Sequence, residues 1–258
     1  MTPSTTSRNR TGARIRNVVI PLAFWLGVWQ LAALWVGKQL LLPGPLAVAA
    51  RLWELAGTAV FWRSALMSLG RIFGGFAAGA ALGALLAALT CAQPWAGRLI
   101  APAVKVIRAT PVASFIVLVL LWAPTGRVPA VVSALMVLPV LWGNVCKGIG
   151  QTDPKLLEAA GAYRFSPGKK LRLIYVPCAL PYVASGCATA LGLAWKAGVA
   201  AEVLCQPALA IGKELYRAKI TLDTPALFAW TAAVIALSFV LEYALGFLFR
   251  RWGKEARV

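Results

Sequence analysis

Six apolar runs, each near the twenty residues a helix needs to cross the roughly 30 Å hydrocarbon core of a bilayer, constrain this chain more than any motif does. They fall at Val18–Val36, Ser64–Thr90, Ala101–Ala123, Val128–Cys146, Cys178–Ala201 and Pro225–Phe249. Of 258 residues, 60% are hydrophobic and 13% charged, too much apolar surface for a water-soluble domain to hide. The reading is an all-α, polytopic membrane protein with six transmembrane helices.

The formal net charge of +18 invites a nucleic-acid partner, but the basic residues gather at the ends of the apolar runs and form no stripe with interleaved aromatics. Membrane lipid headgroups and the bias of cytoplasmic loops toward Lys and Arg account for them, and no nucleic acid is implied. The five cysteines show no paired metal spacing and there is no histidine, so neither a disulfide nor a metal site is expected. Residues 1–17, with Arg8, Arg10, Arg14 and Arg16 and no acid, read as a disordered cytoplasmic tail. The first run is long for a signal peptide and lacks a convincing cleavage site before Lys38, so it reads as a retained span. Residues 18–63 then hold this span and an external interfacial helix after Leu42-Pro43-Gly44-Pro45, 64–249 the main transmembrane domain, and 250–258 a second basic tail. Six Lys and Arg between Lys147 and Arg172, against Asp153 and Glu158, put that loop on the same, cytoplasmic side as both termini. Gly70/Gly74 and Gly75/Gly79/Gly83 give small-xxx-small spacings that read as close packing within the bundle, or as a dimer contact, the former preferred.

The basic loop has a structure of its own. Asp153 N-caps a helix whose first residue is Pro154, where the missing N–H costs nothing. Leu156, Leu157, Ala160 and Tyr163 share one face of that helix, which predicts a docking side. Ser166 and Pro167 repeat the signal for a second short helix toward Val176 that carries Lys169, Lys170 and Arg172.

Glu158-Ala159-Ala160, followed at fixed distance by Ile174-x-Val176-Pro177, resembles the EAA motif of the membrane permease subunits of bacterial ATP-binding-cassette (ABC) importers. Leu42-Pro43-Gly44-Pro45, Ser68-Leu69-Gly70-Arg71 and the segment from Lys105 to Phe115 are similar to the nitrate, sulfonate and taurine branch of that family. The resemblance implies a type I importer permease in the bacterial inner membrane, its loop 153–177 docking as a coupling helix on an ABC ATPase subunit. It also implies an extracytoplasmic solute-binding protein and a homodimer of permeases. Leu157, Glu158, Ala159, Ala160, Gly161, Tyr163, Arg164, Pro167 and Gly168 are the coupling residues it points to. The departure is Arg164 where the family places glycine. A non-glycine residue in the left-handed conformation costs about 1–2 kcal/mol, so the turn is expected to shift, with Gly161 or Gly168 as the flexible point.

For the solute path the candidates are Arg108, Ser114, Trp195, Lys196 and Glu202. A lysine inside an apolar run faces a partner or a watery cavity. Two readings of Lys196 stand side by side, a pathway residue or a structural ion pair with Glu242. Lys105 and Arg108 either snorkel to lipid phosphates or border the path. No nucleophile-base arrangement exists without histidine, and Tyr163 occupies the position where a phosphate-binding loop ending at Lys169 would need its first glycine. The chain is therefore not expected to be an enzyme or to bind a cofactor itself. ATP and Mg belong, by the resemblance, to the partner ATPase. The cargo it suggests is a small organic anion such as a sulfonate, nitrate, or another small nutrient. The alternative is an ion-coupled secondary transporter or channel, which an inverted repeat and a membrane-buried carboxylate would favour.

Overall fold

A computed structural model describes the backbone of residues 9–255 and the side chains of residues 19–247. Among the described residues the chain is helical throughout its ordered elements: α1 (Asn9–Val36), α2 (Pro45–Ala56), α3 (Ala59–Ala92), α4 (Pro94–Ala109), α5 (Val112–Leu120) and α6 (Val128–Gly150). The loop and second half follow as α7 (Pro154–Ala162), α8 (Pro167–Lys170), a π-helical turn (Leu171–Tyr175), α9 (Val176–Cys205), α10 (Ile211–Ile220) and α11 (Thr224–Glu255). Five helices are long and apolar enough to span a membrane, and six crossings result if α4 and α5 together make one.

That pair corrects the expectation of a straight span over Ala101–Ala123, because α4 and α5 meet at 103°. Proline disfavours helical geometry in the residue before it. Thr110, ahead of Pro111, accordingly adopts φ −79, ψ 129, and the chain turns there. The segment 1–17 also differs from a disordered tail, since α1 already begins at Asn9; residues 1–8 lie outside the described residues. At the other end α11 runs on to Glu255, well into the segment expected as a tail, with 256–258 outside the described residues.

Backbone approach through small residues builds the core. A Cβ added at Gly75, Gly79 or Gly83 of α3 would strike the backbone of Ala130, Ala134 or Leu138 of α6. The glycine spacing thus zips two helices of one chain, whereas Gly70 and Gly74 have nothing within 4 Å. Small residues matter here because lipid supplies no hydrophobic drive for helices to associate. The numbering rises together on both helices, so α3 and α6 run parallel and the chain must return between them, which α4 and α5 provide. α9 lies antiparallel to α6, with Gly186 against Asn144 and Gly148 against Ala179 and Tyr182. Trp195, Ile72, Leu141 and Leu191 fill the space between α3, α6 and α9. The indole of Trp195 donates to the carbonyl of Val234 at 3.0 Å, fastening α11 against α9. The ends of α3, α6 and α11 and the start of α9 therefore share one end of the bundle.

The expected interfacial helix is α2, entered through Gly44 and Pro45. Arg51 ties it to the start of α11, with Nη1 2.7 Å from Glu54 and Nη2 2.7 Å from Asp223. Hydrogen bonds to Glu54 and then Asp223 hold its guanidinium pKa above the ordinary value, so it stays charged at every working pH.

Candidate functional site

The loop between α6 and α9 is built as its caps dictate. The Asp153 carboxylate accepts from the Lys155 N–H at 2.9 Å, with Pro154 opening α7. The Ser166 hydroxyl accepts from the Lys169 N–H at 3.4 Å, with Pro167 opening α8. The second helix is not free-standing. It continues through the π turn into α9, the Val176 N–H reaching back to the Leu171 carbonyl. Pro177 has no N–H for the carbonyl one turn earlier and its ring crowds that turn, and a wider π register relieves both problems.

The turn between α7 and α8 has not shifted. Arg164 itself sits in the left-handed region at φ 49, while neither Gly161 nor Gly168 has a positive φ. The Phe165 N–H reaches the Ala160 carbonyl at 2.9 Å and the Arg164 N–H the Gly161 carbonyl at 3.0 Å. These two bonds form a Schellman ending, and they satisfy carbonyls that the last turn of α7 would otherwise leave bare. The expected glycine pivots are thus corrected: the bonds hold an arginine where a glycine would fit without strain.

The predicted docking face divides. Ala160 is buried against its own chain and Leu157 half-buried, while Leu156 is 48% and Tyr163 79% exposed. Glu158, Ala159, Gly161, Arg164, Pro167 and Gly168 are also exposed. A charge at Ala160 would therefore damage the loop's own packing before it touched a partner. The exposed apolar tip is Leu156 and Tyr163, the latter 6.5 Å from the half-buried Phe165 ring.

The path candidates separate in the fold. Arg108 donates from Nη2 to the Pro139 carbonyl of α6 at 2.6 Å, and its guanidinium lies over Gly143, where a Cβ would be 2.7 Å from Nη2. It is fastened to a helix backbone and does not simply reach for lipid. Ser114 is exposed in the first turn of α5, immediately after the 103° break. Trp195 is buried in the core, as described. Lys196 is exposed, on a face of α9 that also shows Ser185, Thr189 and Ala200, and it makes no ion pair with Glu242 or any other described carboxylate. α5 packs on α9 where Ile116 shares a cluster with Ala201 and with Ala197, the neighbour of Lys196 in sequence, while Ser114 is exposed two positions before Ile116.

Glu202 has no exposed surface at all. Its Oε2 accepts from the Ser68 hydroxyl at 2.7 Å and from the Gly212 N–H at 3.2 Å, and Ser68 in turn accepts from the Ile211 N–H at 2.9 Å. Its Oε1 has only Arg71 nearby, at 3.7 Å. Arg71 also donates to the carbonyls of Ala208 and Leu209. One buried carboxylate therefore gathers α3, the end of α9 and the start of α10, where it meets the positive end of the helix dipole. Gly212 is required there, because a Cβ would overlap Glu202 and the Val203 backbone. In the sequence Ser68 and Arg71 belong to the family resemblance, and Arg71, with Arg108 and Lys196, suits an anionic solute; the structure instead engages Arg71 with Glu202 and the Ala208 and Leu209 carbonyls. The i, i+3 spacing of Ser68 and Arg71 in an otherwise apolar stretch was the signal.

Residues 79–254 match the family described as binding-protein-dependent transport system inner membrane component. The chain belongs to this family. It is a multi-pass inner-membrane permease subunit, a component of a transport system. Among similar proteins, the riboflavin transport system permease of Chloroflexus aurantiacus is 27% identical over 90% of this permease and 88% of its own length. The putative aliphatic sulfonates transport permease of Escherichia coli (strain K12) is 29% identical over 69% of each chain. The nitrate import permease of Synechococcus elongatus is 29% identical over 72% of this chain and 70% of its own. In fold, the permease resembles an amino acid ABC transporter chain with TM-score 0.60 and 18% identity, covering 79% of this chain and 97% of that one. A chain of the MetNI methionine ABC transporter in an inward-facing conformation gives TM-score 0.58 and 19% identity, covering 76% and 93%.

Proposed function

We propose that this permease is the membrane half of an ATP-driven importer, and that the loop 153–177 couples it to a separate ATPase subunit which holds the ATP and Mg. The observation that carries this reading is the loop itself: a doubly capped helical knob at one end of the bundle with Leu156 and Tyr163 turned outward and uncovered by any of the described residues. Exposed apolar side chains on a rigid helix suit a protein cleft. α7 is joined by the Arg164 turn to α8, which continues through the π turn into α9, so a push on the knob moves a membrane helix. Two copies flank the path, a solute-binding protein delivers cargo from outside, and the loop and both termini face the cytoplasm.

The solute is a small anion of the kind carried by the sulfonate and nitrate relatives. Lys196 supports that class. It stands about 13 Å inside the end of α9 at 1.5 Å per residue, exposed and without an ion-pair partner among the described residues, on a face that carries Thr189 and Ser185 two and three turns earlier. A lysine facing lipid there would cost about 2.5–3.5 kcal/mol, so a watery path is the cheaper surrounding.

Tyr163→Glu tests the coupling role. In membranes holding the permease with its ATPase, uptake should fall by about tenfold or more, as for loss of an interface anchor of about 1.4 kcal/mol or more. Insertion should be normal and the ATPase should no longer co-purify. Full uptake with Tyr163→Glu, or uptake driven by an ion gradient in vesicles without the ATPase, would overturn the reading.

A further inference from the structure

The α3/α6 glycine ladder ends in two thiols. Its rungs pair Gly75 with Ala130, Gly79 with Ala134 and Gly83 with Leu138, advancing by four residues on both helices. Two further steps of four lead from Gly83 to Cys91 and from Leu138 to Cys146. The helices stay close along this line. An added Cβ would lie 2.8 Å from the Cα of Ala130 at the first rung, 2.8 Å from that of Ala134 at the second and 3.3 Å from that of Leu138 at the third. The Cys146 thiol donates to the carbonyl of Ala87, one turn before Cys91, at 3.9 Å, which brings it onto the last turns of α3. Disulfides need Cα atoms about 4.4–6.8 Å apart with converging Cβ vectors, which parallel helices in glycine-ladder contact provide at a matched rung.

We propose that Cys91 and Cys146 form a dithiol modification site that a low-molecular-weight disulfide closes to an intramolecular disulfide. Cys91 is exposed and Cys146 half-buried, which sets the order of events. The Cys91 thiolate attacks one sulfur of the small disulfide, forming a mixed disulfide and expelling one thiolate. The Cys146 thiolate then attacks the Cys91 sulfur and expels the second. Two electrons pass from the cysteines to the small disulfide, and the two cysteine protons end on the released thiols. In a reducing compartment the pair rests as thiols, so the bond marks oxidative conditions. Once formed, it ties the end of α6 to α3 directly ahead of the capped loop.

The test uses the full-length chain in membranes, with glutathione disulfide as the probe. After oxidation, free thiols are blocked with N-ethylmaleimide and the protein is mapped by mass spectrometry without reduction. The expected product is one linked peptide joining Cys91 to Cys146, lighter by two hydrogens and lost on adding dithiothreitol. Cys146→Ser should replace the link by a stable glutathione adduct on Cys91, and Cys178→Ser should leave it unchanged. A lasting adduct on Cys91 in the unaltered chain, independent alkylation of both thiols, or linkage to another cysteine would each overturn the proposal. No transport readout enters, so failure here is distinct from failure of the importer reading.

Discussion

Arg164 holds a conformation that its side chain disfavours, and the loop's shape depends on it. At φ 49 it occupies the left-handed position of a Schellman ending, fixed by the bonds from Phe165 to Ala160 and from Arg164 to Gly161. Glycine would remove about 1–2 kcal/mol of steric cost and restore about 0.5–1 kcal/mol of unfolded-state entropy. Arg164→Gly should therefore stabilise the turn by up to about 1.5 kcal/mol. Hydrogen exchange at Phe165 reports it: slower exchange is expected, and faster exchange would show that the guanidinium holds the turn by a contact of its own. Glu202 is the opposite case at the same scale. Its charge is buried, yet Ser68, Gly212 and Arg71 are arranged around it before any solute arrives.

At the scale of elements, close packing of α3 on α6 sets the framework, and the two faces of α3 differ sharply. Gly79 lies where an added Cβ would be 2.5 Å from the Ala134 carbonyl oxygen, whereas Gly74 faces open space. Gly79→Val must separate the helices and should cost about 3 kcal/mol, the upper end for an overpacked core. Gly74→Ala should leave stability unchanged or slightly raised, since alanine is the better helix former. Thermal unfolding in detergent compares the two, and equal losses would mean that the ladder does not hold the bundle. The break between α4 and α5 arises from one residue pair, Thr110 and Pro111, and it places Ser114 at a corner instead of inside a straight span.

For the whole molecule, the question is which surfaces are left for function once the helices have packed. Lys196 remains on an exposed face with Ser185 and Thr189, and nothing described in the protein neutralises it. Replacing it by glutamine should leave unfolding temperature unchanged or higher. A charged hydrogen bond to a solute is worth about 1.5–3 kcal/mol, so uptake of an anionic solute at low concentration should fall by about tenfold to a hundredfold. Transport assays across a concentration series check it, and full uptake by Lys196→Gln would remove the residue from the path.

Chain-local signals were legible without coordinates. Five of the six apolar runs announced single long helices, while that over Ala101–Ala123 did not show its break; Asp153-Pro154 and Ser166-Pro167 announced both loop helices, and the spaced residues from Glu158 to Pro177 pointed to the family. Each depends on contacts within a few positions, so the order of residues suffices to state it. Tertiary structure alone decided that Ala160 turns inward while Tyr163 turns out, and that Arg71 and Glu202 are used up in holding α10. It likewise set Cys91 opposite Cys146. Those outcomes depend on which helix lies against which, and at what register. Close backbone approach sets that register, and residues far apart in the chain become neighbours through it.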